Sequence, residues 1–177
     1  MANIHKKYII IFGAIVFIAL ITIFIVKRRK KKINFSALDD RSRKTVETLD
    51  PRIQKQAVDF YTQAKNAAMP VQIVSGMRSF EQQQALYDKG RTKPGTIVTN
   101  AKAGSSWHNY GLAFDLVPAE GYNSKNWDKL GAIGKRNGLE WGGDWTSFKD
   151  RPHFQNRLGL TIKQAINKKR NNNGFII

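Results

Sequence analysis

Cysteine is absent from the 177-residue chain. That absence excludes a disulfide framework, thiolate zinc sites, iron–sulfur clusters and a catalytic thiol, so any metal must be held by His, Asp or Glu. Histidine is scarce as well, with three in the whole chain, and 14 glycines and five prolines are too few for a fibrous sequence. What is present in quantity is packing material. At 41% hydrophobic and 11% aromatic residues, the composition is too apolar for a disordered chain, and the length allows one compact core at most.

Negative charge is the second scarcity: 13 Asp and Glu stand against 30 Lys and Arg, a formal net charge of +17. Position matters more than size here. Residues 1–33 hold eight basic residues and no acid, and the tail from Lys163 to Ile177 adds Lys163, Lys168, Lys169 and Arg170 without one. Setting those twelve aside leaves 18 basic against 13 acidic residues, an excess common in soluble domains. No nucleic-acid-binding motif accompanies the charge, so it is assigned to a membrane flank and a solvated tail, and no nucleic-acid partner is expected.

The run Tyr8–Val26 has 19 consecutive uncharged residues, dominated by Ile and Phe. At about 1.5 Å per residue a helix of that length nearly spans a hydrocarbon core. A buried core helix is rarely apolar on every face or bracketed by His5-Lys6-Lys7 and by six basic residues from Lys27 to Lys32. A cleaved signal peptide fits poorly too, because the run exceeds a typical h-region and Lys and Arg occupy the place of a small-residue cleavage site. Residues 8–26 therefore read as one uncleaved transmembrane helix contacting lipid, and residues 1–33 as a membrane anchor with basic flanks.

After it, residues 34–49 read as a linker merging into a short helix or an extended arm. Asp50-Pro51 supplies an N-cap followed by Pro at the first helical position, and Ile53, Ala57, Phe60, Tyr61, Ala64 and Ala68 recur at helical spacing up to Pro70. Val71–Val74 is a short β-branched strand that empties into Ser75-Gly76. Ser79 and Gln82 form a capping-box pattern that starts a second helix, stopped by Gly90, and places Arg78 at a strand-to-helix junction. Residues 91–106 read as a surface loop bordering a site.

From Gly111 to Val117 the pattern alternates, with Leu112, Phe114 and Leu116 on one face and Asp115 on the other. A third helix over Trp127–Asn137, a strand over Leu139–Trp141, a turn at Gly142-Gly143-Asp144 and a short capped helix after Thr161 complete the reading. Residues 157–177 are taken as that helix and a basic tail, of which Asn171–Gly174 is too polar to pack. The catalytic part is placed at residues 50–156.

With His5 beside the apolar run, the folded part has two histidines, His108 and His153. His108 lies just before the turn that feeds the strand carrying Asp115, and His153 follows Asp150 by three residues across the stiff Pro152. Two imidazoles and one carboxylate leave an open fourth position, the ligand count of a catalytic zinc site. A remaining carboxylate nearby is then available as general base.

These residues resemble a known family. Ser106-Trp107-His108-Asn109-Tyr110-Gly111-Leu112-Ala113-Phe114-Asp115 is similar to the Ser-x-His-x-x-Gly-x-Ala-x-Asp signature of the LAS zinc metallopeptidases, and Asp150-Arg151-Pro152-His153 to their second motif. That family includes VanY-type D-alanyl-D-alanine carboxypeptidases and L-alanyl-D-glutamate endopeptidases. The resemblance extends to Ser75–Phe80, Gln83, Leu86-Tyr87, Gly90-Arg91 and Glu140–Trp145, and runs from about Asp40 to Gln155.

The resemblance implies an α+β fold, a small, mostly antiparallel sheet flanked by helices, with zinc held by His108, Asp115 and His153. It implies Asp150 as general base, Arg78 steadying the developing oxyanion, and Ser106 and Gln83 lining the substrate cleft. The expected activity is zinc-dependent hydrolysis of a peptidoglycan stem peptide by a monomer. Asp150, where other branches place Glu, points to the L-Ala-D-Glu endopeptidase branch rather than a D-Ala-D-Ala carboxypeptidase. An inactive wall-binding module is the remaining alternative, although no catalytic position is missing. Six basic residues after the apolar run against two before it argue for a cytoplasmic C-terminal side. Peptidoglycan lies outside the membrane, so the expectation is a single-pass cell-membrane protein with its catalytic domain extracytoplasmic.

Overall fold

The computed structural model describes residues 33–171 and 174–177, and the expected transmembrane helix at residues 8–26 lies outside them. No helix among the described residues is long and apolar enough to cross a membrane. Among the described residues five helices, α1 (Asp40–Glu47), α2 (Pro51–Asn66), α3 (Phe80–Asp88), α4 (Trp127–Arg136) and α5 (Ile162–Asn167), accompany four strands. These are β1 (Val71–Ser75), β2 (Ala113–Pro118), β3 (Glu140–Trp141) and β4 (His153–Gln155), hydrogen-bonded in the order β1-β2-β4-β3 with every pairing antiparallel. The expected α+β class and antiparallel sheet are both present.

The helix starts follow from side-chain chemistry. The Asp50 carboxylate accepts a hydrogen bond from the Arg52 amide at 2.9 Å and Pro51 opens α2. Ser79 and Gln82 close the capping box of α3 reciprocally, and Thr161 and Gln164 do the same for α5. The stripe on α2 buries Ile53, Ala57, Phe60, Tyr61 and Ala64. Ala68 departs from it, because the helix ends at Asn66 and Ala68 takes a left-handed φ of 56°.

The apolar face of the sheet meets α2 through aromatic rings. Phe60 lies 4.8 Å from Phe154 of β4 and 6.1 Å from Phe114 of β2, centroid to centroid, and Phe114 stacks on Phe154 at 5.8 Å. All three are fully buried. Burying each side chain of this kind contributes about 1.5–3 kcal/mol, so this cluster anchors the strand order. Alternation then leaves Asp115, His153 and Gln155 on the opposite face of the two central strands. The site therefore occupies the face of the sheet opposite the aromatic core.

Residues 34–49, expected to be a linker merging into a short helix or arm, form a 3₁₀ turn and α1, which packs against β1. Asp39 caps α1 by accepting from the Ser42 amide, and the Ser42 hydroxyl accepts from the Ile73 amide of β1 at 2.9 Å. Val46 and Leu49 are fully buried.

The tail also packs. Phe175 and Ile176 are buried, and Arg52 donates to the Ile176 carbonyl at 2.7 Å. The Arg170 guanidinium lies over the rings of Phe80 and Tyr110. The polarity of Asn171–Gly174 gives no sign of this, because two apolar residues suffice to seat the tail, with the Asn171 amide donating to the Phe175 carbonyl.

Candidate active site

The site begins at the end of β1, where the ladder with β2 shifts register between Ile73 and Ser75 and brings Ser75 opposite Asp115. An irregularity there re-aims side chains beside a site. The Ser75 hydroxyl accepts from one terminal nitrogen of Arg78 at 3.0 Å, and Gln83 accepts from the other at 2.7 Å. Held by this fork, the guanidinium stands 3.6 Å from the Asp115 carboxylate.

His108 is carried by a single 3₁₀ turn, Trp107–Tyr110, capped at both ends. Ser106 caps it by accepting from the His108 amide, and Gly111 ends it in the left-handed conformation, φ 67°, against the Asp50 amide and the Phe175 ring. A Cβ at Gly111 would lie 2.8 Å from both, so this turn requires glycine twice over. Asn109, fully buried, donates to the carbonyls of Arg78 and Ser79 and accepts from the Gly104 amide. Three segments are tied by that one side chain. The signal for Asn109 in the sequence is a polar residue flanked by His108 and Tyr110 inside the motif.

His108 Nε2, Asp115 Oδ1 and His153 Nδ1 converge, with separations of 3.2 Å, 3.1 Å and 3.3 Å. Donors about 2.0–2.2 Å from a tetrahedral ion lie on the order of 3.3 Å from one another. The three donors thus fit zinc in kind and in spacing, and they are the group among the described residues suited to hold a metal. Each imidazole is oriented through its far nitrogen, His108 Nδ1 toward the Gly76 carbonyl at 2.7 Å and His153 Nε2 toward Gln155 Oε1 at 2.9 Å. Those contacts turn His108 Nε2 and His153 Nδ1 toward the centre.

Electrostatics separates the two carboxylates. Burial pushes Asp115 up, but the His108 and His153 imidazoles outweigh it and hold Asp115 well below the usual carboxylate range. Asp150 moves the opposite way, raised by burial and then by the Asp115 charge, with the imidazoles and Arg78 opposing. Burial lowers Arg78 while Asp115 and Asp150 draw it back up, and it remains a cation at neutral pH. His153 is drawn down by burial, yet its bond to Asp115 leaves it raised overall.

A cleft of about 600 Å³ opens over these groups. Its walls include Arg78, Ser106, Asp150 and Trp145, with half-exposed Val98 and Phe148 at the rim. The model of the family described as D-alanyl-D-alanine carboxypeptidase matches residues 99–156. The peptidoglycan L-alanyl-D-glutamate endopeptidase CwlK of Bacillus subtilis (strain 168) is 40% identical over 121 residues, 60% of this chain and 72% of that protein. The chain belongs to the LAS zinc metallopeptidases.

A second relative of this LAS peptidase, the L-alanyl-D-glutamate peptidase of Listeria phage A118, is 38% identical over 82 residues, 40% of this chain and 29% of that protein. Among solved structures, the vancomycin resistance D,D-pentapeptidase VanY from a VanB-type cassette, in complex with Zn(II), superposes with a TM-score of 0.50 at 23% identity. It covers 67% of this chain and 75% of that one, and shares the fold.

Of the residues expected from the family's pattern, His108, Asp115, His153, Asp150, Arg78 and Ser106 all border the cleft. Gln83 stands apart in this LAS peptidase. It is fully buried, accepts from Arg78 and donates to the Ala101 carbonyl at 2.7 Å, so it stands behind Arg78 and pins the loop that walls the cleft.

Proposed function

We propose that this chain hydrolyses the L-Ala–D-Glu bond of peptidoglycan stem peptides as a zinc metallopeptidase. The observation that carries the reading is the coincidence of the three converging donors with Asp150 and Arg78 on one cleft, in a chain 40% identical to an L-alanyl-D-glutamate endopeptidase. His108, Asp115 and His153 would hold the zinc, which when bound supplies Lewis acidity that lowers the pKa of water to about 7 and polarises a carbonyl.

The chain's own groups do the rest. Asp150, whose carboxylate accepts no hydrogen bond among the described residues, takes a proton from the attacking water and returns it to the leaving amine. Arg78 meets the negative charge that develops on the carbonyl oxygen. Gln83 and Ser75 keep it from collapsing onto Asp115, with which it would otherwise close a tight pair. Ser106, on the wall of the same cleft, would contact the substrate.

A second reading, removal of terminal D-alanine, is favoured by the description of the matching family model. Mass spectrometry of muropeptides digested by the full chain with zinc separates them. The endopeptidase exposes a new D-glutamate amine, the carboxypeptidase releases D-alanine alone, and a zinc-loaded chain that does neither is a wall-binding module.

The proposal extends to location: residues 8–26 anchor the chain in the cell membrane as a single pass, with the catalytic domain outside. The support is the apolar run and the position of the substrate, and the basic run Lys27–Lys32 would lie on anionic headgroups or wall polymers. Protease added to intact, wall-stripped cells is expected to remove the domain, and full protection would overturn this orientation. Because every residue of the site comes from one chain, a monomer suffices, and size-exclusion chromatography tests it.

A further inference from the structure

We infer that Arg170, in the C-terminal tail, is a positioning residue that holds the Ser105–Ser106 wall of the cleft in place through Tyr110. The inference rests on the reading of the cleft as the substrate site. Arg170 lies beyond residues 99–156, the stretch that the family model matches, whereas Tyr110 and the wall lie inside it. Its guanidinium stands 4.3 Å from the centroid of the Phe80 ring and 4.9 Å from that of Tyr110. Among the described residues Arg170 forms no ion pair, so these two ring faces are the partners of its charge. The rings themselves meet edge to face at 6.3 Å. Phe80 opens α3 and Tyr110 closes the turn that carries His108, so one cation joins the two elements.

Gly104 rests on the same two rings. A Cβ there would lie 3.9 Å from the Phe80 ring and 4.0 Å from the Tyr110 hydroxyl. The Tyr110 hydroxyl donates to the Gly104 carbonyl at 2.7 Å, and the Asn109 side-chain oxygen accepts from the Gly104 amide at 3.0 Å. Both polar backbone groups of Gly104 are thus held by the end of the His108 turn, and the next two residues, Ser105 and Ser106, line the cleft. The tail keeps the cation in its seat. Arg170 is bridge partner to Ile176, whose carbonyl accepts from Arg52, and Phe175 lies against Gly111, the residue after Tyr110. Without the cation the two rings lose the group that bridges them, and Gly104 shifts with the Tyr110 hydroxyl. His108 keeps its bond to the Gly76 carbonyl, so zinc is retained while the wall loosens.

Kinetics and hydrogen exchange test this. Arg170→Leu removes the charge, and Arg170→Lys returns a cation to the rings. In the full chain with zinc, KM for a purified stem peptide is expected to rise about 3- to 30-fold in Arg170→Leu, with kcat per bound zinc within about twofold, and to recover most of the way in Arg170→Lys. Tyr110→Phe keeps the ring but loses the bond to Gly104, and should raise KM as well. Combining Arg170→Leu with Tyr110→Phe should raise it no further than the larger single effect, because both act on one contact. In the metal-free chain, amide exchange followed by mass spectrometry should quicken across residues 101–110 in Arg170→Leu and stay native in the sheet. An unchanged KM overturns the inference. So does exchange that quickens throughout the domain in step with lost thermal stability, which would make the contact merely structural. If the native chain hydrolyses no stem peptide while exchange quickens at residues 101–110 alone, the peptidase reading falls and the hold of Arg170 on the wall stands.

Discussion

Asp115 and His153 are directly opposed across the antiparallel pair β2–β4, and this register brings Asp115 Oδ1 to 3.1 Å from His153 Nδ1. The neighbouring pair, Phe114 and Phe154, is opposed on the other face and stacks in the core. A slip of one residue would exchange the faces, burying the donors and exposing the rings. The hydrophobic core thereby enforces the geometry of the polar site.

Replacing His108, Asp115 or His153 with Ala should remove a metal donor, so bound zinc and hydrolysis should fall together. A chelator should silence the native chain and added zinc restore it. Elemental analysis beside the hydrolysis rate checks both; a zinc-free variant with native activity would contradict the assignment.

Asp150→Asn should behave otherwise. The amide is nearly isosteric but cannot accept the proton, so zinc content and fold should persist while turnover drops on the order of 100-fold or more. Loss of zinc in this variant would instead make Asp150 a ligand.

Arg78→Gln should keep zinc and lower kcat on the order of 100- to 1,000-fold, the cost typical of removing one donor to a developing oxyanion. Gln83→Leu should weaken the same step less, since Ser75 still holds one arm of the guanidinium. Steady-state kinetics on a purified muropeptide measures both, and the reverse order would remove Gln83 from behind Arg78.

Gly142→Ala tests how closely the second motif is packed. A Cβ there would lie 2.4 Å from the Asp150 carbonyl oxygen and 3.1 Å from His153 Cβ, so the backbone of the second motif must shift to admit it. Destabilisation of about 1–3 kcal/mol is expected, together with a fall in turnover per bound zinc, measured by denaturant unfolding and by rate.

Asp39 supplies a pH test remote from the metal. Burial pushes its carboxyl up, but bonds from Ser42, Tyr61 and Gln72 bring it below its ordinary value. A carboxyl lowered on folding stabilises fully above its unfolded pKa of about 3.9 and loses that contribution as pH falls through the folded value. Asp39→Ala should therefore cost about 0.5–2 kcal/mol at neutral pH as a lost N-cap, and progressively less on acidification. Urea unfolding of the metal-free chain at several pH values measures it, and a cost independent of pH would contradict the capping role.

Much of this was legible in the residues themselves. The caps at Asp50, Ser79 and Thr161, the alternation through β2 and the donor types at His108, Asp115, Asp150 and His153 act over a few residues, where propensity and hydrogen-bonding chemistry are decided locally. Gln83 was legible as a site residue but not as the support behind Arg78, because its direction depends on where α3 lies against the loop at Ala101.

What only the tertiary structure decided are the long-range pairings. Glu140 reaches Gln155 and then His153 through strand register, Arg52 seats the tail 124 positions away, and α1 joins the sheet through Ser42. None of these has a local signature. The amino-acid order by itself determined which groups could bind a metal and carry a proton, since that is a property of each side chain. Which nitrogen, which face and which neighbour were decided by packing, because a cross-strand partner is set by the core that both strands bury, and that core is assembled from residues far apart in the chain.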